Sequence, residues 1–298
     1  MKIGIERDQC TGCGNCLTYC PRGVLSLSDG EERNARGVHY IRMAAPEACI
    51  GCGRCEQACT AAALRLPQKQ NGYDLLDRQH IPPHSGCYLG SLAKALADAI
   101  RELGVEDRVV LFKKKAADVN LLVESHDYTT EEFYADGLAY KKAHPDKLVV
   151  IICSSSKIHS TAANEARFRA LTDETVTLIN TLNYFESDPA ITTLTAGGSH
   201  IAEEMAQHSA ASFVARSSVR STEELTRLKQ YLRQGLQNQM EGRTFSLIEM
   251  TFPCFYRLAG RPQTLMPCEA LAPINQWFDR NVKPLYPEGV LKEVEPQP

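Results

Sequence analysis

Cys10 to Cys20 reads CTGCGNCLTYC, and Cys49 to Cys59 reads CIGCGRCEQAC. Both runs have the spacing C-x2-C-x2-C-x3-C. Pro21 follows the first and Thr60 the second. Four sulfurs at this spacing, twice within sixty residues, point to two soft-metal centres. Zinc sites also use C-x2-C pairs, but they close with four ligands per unit and rarely repeat a triple-plus-one pattern. Disulfides need an oxidising compartment, and MKIGIERDQC has no apolar segment of the kind a secretory signal requires. Gly12, Gly14, Gly51 and Gly53 interleave the sulfurs and let backbone N–H groups come close to them.

The spacing resembles that of bacterial two-cluster ferredoxins, in which cysteines hold [4Fe–4S] cubes and the fourth cysteine of each run ligates the other cube. The resemblance implies two [4Fe–4S] clusters. One is assigned to Cys10, Cys13, Cys16 and Cys59, the other to Cys49, Cys52, Cys55 and Cys20. Thr60, in place of the usual Pro, touches no ligand. Between the runs, SLSDGEERNARGVHYIRM reads as a β-hairpin turning near Asp29 to Gly37, and Ala63 to Leu66 as a further short strand. Arg7, Arg22, Arg36, Arg42 and Arg54 read as solvated surface, with docking to an acidic partner as the alternative.

The chain has 298 residues, so a second core is expected beyond the cysteine runs. Its formal charge of −3 does not suit a generic nucleic-acid binder. No apolar run approaches the roughly twenty residues that span a bilayer. With its cysteines taken as reduced, the chain is expected in the cytoplasm. The expected division is an α+β ferredoxin-type domain at 1–68, a polar and Pro-rich linker at 69–83, and a second domain at 84–298.

In that second part strands and helices alternate. Leu89, Leu92, Leu96, Ile100 and Leu103 mark one helical face. Strands are expected at 108–112 (RVVLF), 148–153 (LVVIIC), 175–180, 212–216 (SFVAR) and 245–250 (FSLIEM), the last taken as the final strand. Helices are expected over 128–144, 162–171 and 222–238, the last behind a Ser-Thr-Glu-Glu capping signal. LVVIIC is apolar without alternation, as a parallel strand covered on both faces requires. This order predicts a three-layer α/β domain with a mainly parallel sheet.

From residue 84 onward the chain resembles the thiamine-diphosphate-binding β subunit of 2-oxoacid:ferredoxin oxidoreductases. The resemblance lies in HSGCYLGSLAKALADAIRELG, DGLAYKKAHPDKLVVII, and ASFVARSSVRSTEELTRLKQYLRQGLQ followed by FSLIEMTFPC. The ferredoxin part resembles the δ subunit of the same family. The family implies a thiamine-diphosphate-binding-like fold, cleavage of a 2-oxoacid, partner subunits, and electrons passed to ferredoxin.

The departures from the family define the expectation. Its proximal-cluster cysteines correspond here to His84, Cys87, the Lys113–Ala116 stretch and Cys254, so only two are cysteine. Its Gly-Asp-Gly diphosphate motif corresponds to Cys153, Ser154, Ser155, Ser156 and Lys157, which lacks the Mg²⁺-binding carboxylate. Asn180 or Asn183 matches the metal-side Asn. Thiamine diphosphate and Mg²⁺ are therefore not expected, and no catalytic residue is assigned. His84, His159 and His200 are assigned no acid partner. Gly197-Gly198, Cys268 and Trp277 read as structural, and Lys113 to Lys115 as a solvated turn.

Three functions stay open. The chain is an iron–sulfur electron-transfer subunit of a 2-oxoacid:ferredoxin oxidoreductase-like complex, a catalytic β subunit with a modified thiamine site, or a redox-sensing interaction protein. Expected partners are the other subunits and a ferredoxin or similar redox protein, without nucleic acid or a membrane span.

Overall fold

The computed structural model describes residues 3–66, 71–77, 86–114, 119–128, 133–154, 171–183, 200–208, 210–252 and 267–294. The first of these stretches is built as a twofold repeat. In one half β1 (Gly4–Ile5) leads to a 3-10 turn at Arg7–Gln9, helix α1 (Asn15–Tyr19) and β2 (Leu25–Leu27). In the other, β3 (Ile41–Met43) leads to a turn at Pro46–Ala48, helix α2 (Arg54–Ala58) and β4 (Leu64–Arg65). The strands exchange between halves. β1 pairs antiparallel with β4, and β2 with β3. The hairpin expected around Asp29 to Gly37 is therefore the β2–β3 pair.

Each helix is entered through a glycine in the left-handed region, Gly14 at φ 72° and Gly53 at φ 77°. A side chain at either position would be strained. The long loop between the halves is tied down by Asn34. Its Nδ2 donates to the carbonyls of Arg7 and Cys10, both at 2.8 Å, and its Oδ1 accepts from the N–H groups of Arg36 and Val38. Ile3, Leu25, Tyr40, Ile41, Ala63 and Leu64 pack with Cys10, Cys16, Cys55 and Cys59 as one core.

The remainder forms a seven-stranded sheet in the order β11-β9-β10-β8-β7-β5-β6. Its strands are β5 (Val109–Lys114), β6 (Glu124–Tyr128), β7 (Leu148–Ser154), β8 (Thr177–Asn183), β9 (Phe213–Ser218), β10 (Ser246–Phe252) and β11 (Gly289–Glu293). All pairings are parallel except that of β11 with β9. Residues alternate between two apolar layers. Leu148, Val150 and Ile152 of β7 face one layer with Leu92, Leu96, Ile100, Leu228 and Leu236. Val149, Ile151 and Cys153 face the other with Tyr134, Ile201 and Met205.

Helices α3 (Leu89–Leu103) and α6 (Thr222–Met240) cover the first face, α4 (Phe133–Ala143) and α5 (Ile201–Gln207) the second, and α7 (Pro267–Asn281) follows β10. The predicted three-layer α/β architecture is thus observed. The cap of α6 forms as its sequence indicates. Ser221 Oγ accepts from the Glu224 N–H at 3.1 Å, and Glu224 Oε2 accepts from the Ser221 N–H at 2.9 Å.

The sheet has two edges that periodicity did not reveal. ESHDY at Glu124–Tyr128 is mostly exposed and has no apolar alternation, yet it pairs with β5. Tyr128 therefore ends a strand, and α4 is described over Phe133–Ala143. FSLIEM is not the last strand, because β11 adds to the opposite edge with a register shift between Val290 and Lys292. Edge strands with one solvated side carry little hydrophobic signal. The helix expected over 162–171 lies outside the described residues but for a 3-10 turn at Leu171–Asp173. Among the described residues no helix is long and apolar enough to cross a membrane.

Residues 71–77, expected within a polar linker, are packed where described. Tyr73, Leu75 and Leu76 are buried with α3, and Leu76 bridges to Leu121. Gly72 N–H donates to Asp98 Oδ1 at 2.7 Å, and a Cβ on Gly72 would lie 2.0 Å from the Ala97 carbonyl oxygen. Backbone on both sides leaves no room to relax. Gly72→Ala is expected to destabilise the fold by about 1–3 kcal/mol, the usual cost of overpacking, as a lowered midpoint in urea unfolding followed by circular dichroism.

Candidate functional site

The eight cysteines surround two cavities. Cys10, Cys13, Cys16 and Cys59 line one, walled by Ile41, Ala61, Ala63 and Leu64. Cys20, Cys49, Cys52 and Cys55 line the other, walled by Ile3, Val24, Ile50 and Leu66. Each ring takes three sulfurs from one run and the fourth from the other. Among the described residues no group of three or more His, Cys, Asp or Glu is set to hold a single metal ion. The thiols ring a space instead, as they must if each binds a different iron of a cube.

The electrostatics divide the cysteines the same way. Burial pushes Cys13 up to about 12, and the neighbouring Cys59 and Cys10 add to the rise. Burial lifts Cys16 well above the ordinary thiol value, with Cys59, Cys13 and Cys10 of its own ring contributing most and Cys55 of the other ring least. Burial takes Cys55 to about 11, and Cys20, Cys52 and Cys49 reinforce it. Four thiolates around one space repel one another, and the buried ones have also lost their water. A cationic metal centre relieves both penalties and holds coordinating thiols deprotonated. The residues therefore fit an iron–sulfur cluster in each cavity.

Backbone donors complete the rings symmetrically. The Val24 N–H reaches Cys20 Sγ at 3.4 Å, and the Ala63 N–H reaches Cys59 Sγ at 3.2 Å. Hydrogen bonds of this kind to cluster sulfurs favour the reduced, more negative state. The rings differ in exposure. Cys10, Cys13, Cys16 and Cys59 are all buried, whereas Cys52 of the other ring is exposed and Ile50 beside it is 62% exposed. Arg22 and Arg54, on that same rim, are solvated as expected, and so are Arg7 and Arg36. Arg42 is half-buried and pairs with Asp29 at 2.7 Å.

Residues 9–63 match the 4Fe-4S dicluster domain family. The N-terminal segment thus carries a ferredoxin-type [4Fe–4S] domain. The fold as a whole is similar to that of a 2-oxoglutarate:ferredoxin oxidoreductase from Magnetococcus marinus, solved with 2-oxoglutarate, coenzyme A and succinyl-CoA bound. The TM-score is 0.52 and the identity 15%, over 77% of this chain and 87% of that chain. At that identity the likeness is one of fold. No curated protein sequence matches the chain.

A second polar centre lies across the middle of the sheet. Arg216 of β9 is wholly buried. Its Nε donates to Glu249 Oε1 of β10 at 2.6 Å, and its two terminal nitrogens grip Glu203 of α5 at 2.6 and 2.7 Å. Asn180 Nδ2 of β8 donates to Glu249 Oε2 at 2.7 Å, and Cys153 Sγ stands 4.0 Å from Asn180 Oδ1. The Tyr286 ring covers the guanidinium at 5.1 Å. Burial opposes the charge on Arg216, but Glu249 and Glu203 more than offset it and raise its pKa. Burial alone would raise Glu203, and Arg216 instead carries it below its ordinary 4.5.

Other sequence candidates are dispersed. Ser154 ends β7 and Asn183 ends β8. Asn180, matched in sequence to a metal-side Asn, binds Glu249 instead. His200 does have an acid neighbour, Glu203 Oε2 at 3.6 Å, and it stacks on Tyr286. Lys113 is not solvated, because it is buried and paired with Asp127 at 2.9 Å. Cys87 is half-buried just before α3. Trp277 packs on α7 beside Phe278, Val282, Tyr286 and Leu182. His84, Lys115, Ala116, Ser155 to Lys157, His159, Gly197, Gly198 and Cys254, and the side chain of Cys268, lie outside the described residues.

Two outcomes test the buried triad. Arg216→Met leaves Glu249 in the core without its cation and is expected to cost about 3–5 kcal/mol in urea unfolding. Glu203 has a depressed folded pKa, so its contribution is complete above 4.5 and is lost as the pH falls through the folded value. The stability gap between wild type and Glu203→Gln is therefore expected to be widest near neutrality and to close in acid, as read from urea midpoints measured across pH.

Proposed function

We propose that this chain is an iron–sulfur electron-transfer subunit of a multi-subunit oxidoreductase acting on 2-oxoacids. In this proposal Cys10, Cys13, Cys16 and Cys59 hold one [4Fe–4S] cluster, and Cys49, Cys52, Cys55 and Cys20 hold a second. The observation that carries it is the pair of cysteine-ringed cavities, each completed by the fourth sulfur of the other run. When bound, such clusters accept and release single electrons. The protein supplies thiolates, sulfur-directed N–H groups and a dry wall around each. Cys16 of one ring and Cys55 of the other belong to the same buried core, which supports transfer from one cluster to the next. The exposed rim at Cys52 and Ile50 supports exchange with a redox partner at the second ring.

The division proposed is a ferredoxin domain at 1–68, a connection at 69–83 and an α/β domain at 84–298. The α/β domain is proposed as a scaffold that no longer holds thiamine diphosphate. Mg²⁺ with a diphosphate needs charged oxygen donors. Glu249 and Glu203 are already committed to Arg216, and Asn180 to Glu249. The described end of β7 offers Ser154 and no carboxylate. The carbonyl chemistry then belongs to a partner chain.

The test is anaerobic purification with iron and sulfide reconstitution, in the presence of Mg²⁺ and thiamine diphosphate. About eight irons per chain, as two cubes require, and no retained thiamine diphosphate are expected. Cys59→Ser is expected to lower bound iron by up to about half and to remove one of two electron paramagnetic resonance signals. Thiamine diphosphate retained near one per chain would overturn the scaffold reading, and iron well below four per chain would overturn the cluster reading.

A further inference from the structure

Lys94 lies on α3, in the α/β part, and its side chain crosses to the ferredoxin-type part. Only 3% of the residue is exposed. Its ammonium donates to the carbonyl oxygens of Glu56, of Gln57 at 3.1 Å and of Cys59 at 2.8 Å, and stands 4.9 Å from the centre of the Tyr73 ring. These carbonyls close the C-terminal end of α2 and lead directly into the ligand Cys59. Three acceptors match the three N–H donors of an ammonium. A neutral amine would have to turn its lone pair toward one carbonyl. Burial lowers the pKa of this ammonium, and Cys59, Asp98 and Glu56 oppose that fall; the three carbonyl acceptors suit the protonated form.

Among the described residues the site has no twin in the other half of the repeat. The Glu56 and Cys59 carbonyls also accept backbone N–H groups, from Cys59 and Ala62, just as the matching carbonyls at the end of α1, those of Leu17 and Cys20, accept from Cys20 and Gly23. Among the described residues no Lys or Arg donates to them. The cations at the rim of the other ring, Arg22 and Arg54, are exposed and are screened by water and salt. Lys94 is shielded from both. Two carboxylates lie near it, Glu56 buried and Asp98 half-buried, and are held by other donors. Glu56 accepts from the Leu66 N–H at 3.0 Å and Asn71 at 3.1 Å, and Asp98 from the Gly72 N–H.

We propose that Lys94 is a tuning residue that raises the reduction potential of the cluster ringed by Cys10, Cys13, Cys16 and Cys59 above that of the other. A fixed positive charge favours the extra electron, and in low dielectric it is felt strongly. Removing it also takes a positive neighbour from Glu56 and Asp98, which acts in the same direction, while Lys229 still faces Asp98. The proposal rests on the two-cluster reading. It makes the buried ring the electron sink, on the side where the α/β part packs, and the exposed ring the port.

The test is a redox titration of the reconstituted full-length chain followed by electron paramagnetic resonance, with signals assigned through Cys59→Ser. In Lys94→Met the midpoint of the buried-ring cluster is expected to fall by the order of a tenfold change in its redox equilibrium, about 59 mV for one electron. The other midpoint is expected to hold, and Lys94→Arg to stay near wild type. Unchanged midpoints in Lys94→Met, or equal shifts of both, would overturn the proposal while leaving the cluster reading intact. Wild-type protein without two signals would overturn the cluster reading first. If Lys94→Met fails to load, Lys94→Gln, which loses the charge but keeps N–H donors, gives the same comparison.

Discussion

Four cysteines drawn around one space can all be thiolates only if a cation sits among them, and the N-terminal segment is organised by that constraint twice over. Because the fourth sulfur of each ring comes from the opposite run, neither half can complete a ring alone. The strand exchange, β1 with β4 and β2 with β3, is the backbone counterpart of the same crossing. Left-handed glycines at 14 and 53 turn the chain into each short helix at the cavity mouth. The core there is small, and cysteines make up part of it. Metal binding and folding are therefore expected to be coupled.

The α/β part solves its own electrostatic problem differently. Its central strands carry Arg216 and Glu249 into the interior, where Arg216 pairs with both Glu249 and Glu203 and Asn180 donates to the other Glu249 oxygen. Nothing in that network calls for an external ion. The cysteine rings do call for one. Two polar centres in one chain thus lead to opposite expectations about what each binds, on the same criterion of whether buried charge is compensated.

The two parts meet through polar contacts as well as packing. α1 packs on α7 and α2 on α6. Tyr19 of α1 donates its hydroxyl to the Arg220 carbonyl, and Lys94 anchors the end of α2. Arg220 itself pairs with Glu224 and Asp279, so the cap of α6 is tied to α7 beside the same junction. A scaffold that touches a cluster ligand's backbone is also part of that cluster's electrostatic environment.

Much of this was legible along the chain. Ligand chemistry is written in local spacing, because sulfurs that ring one cavity need short, repeated intervals and small residues between them. The buried strands were legible because a sheet covered on both faces demands continuous apolar runs, as in LVVIIC. The capped start of α6 was legible because Ser221 and Glu224 satisfy each other within one turn. The edges β6 and β11 were not, since half-solvated strands have no such demand. Nor were the partners of buried charges. Lys94 stands among alanines in LAKALADA, His200 and Arg216 converge on Glu203, and Lys113 on Asp127, and no interval in the sequence announces which will meet. The sequence by itself determined the iron–sulfur chemistry and the layer architecture, which follow from short-range pattern. Only the tertiary structure decided which charges are dry and with whom they pair, because burial and pairing are properties of segments far apart in the chain brought to one place.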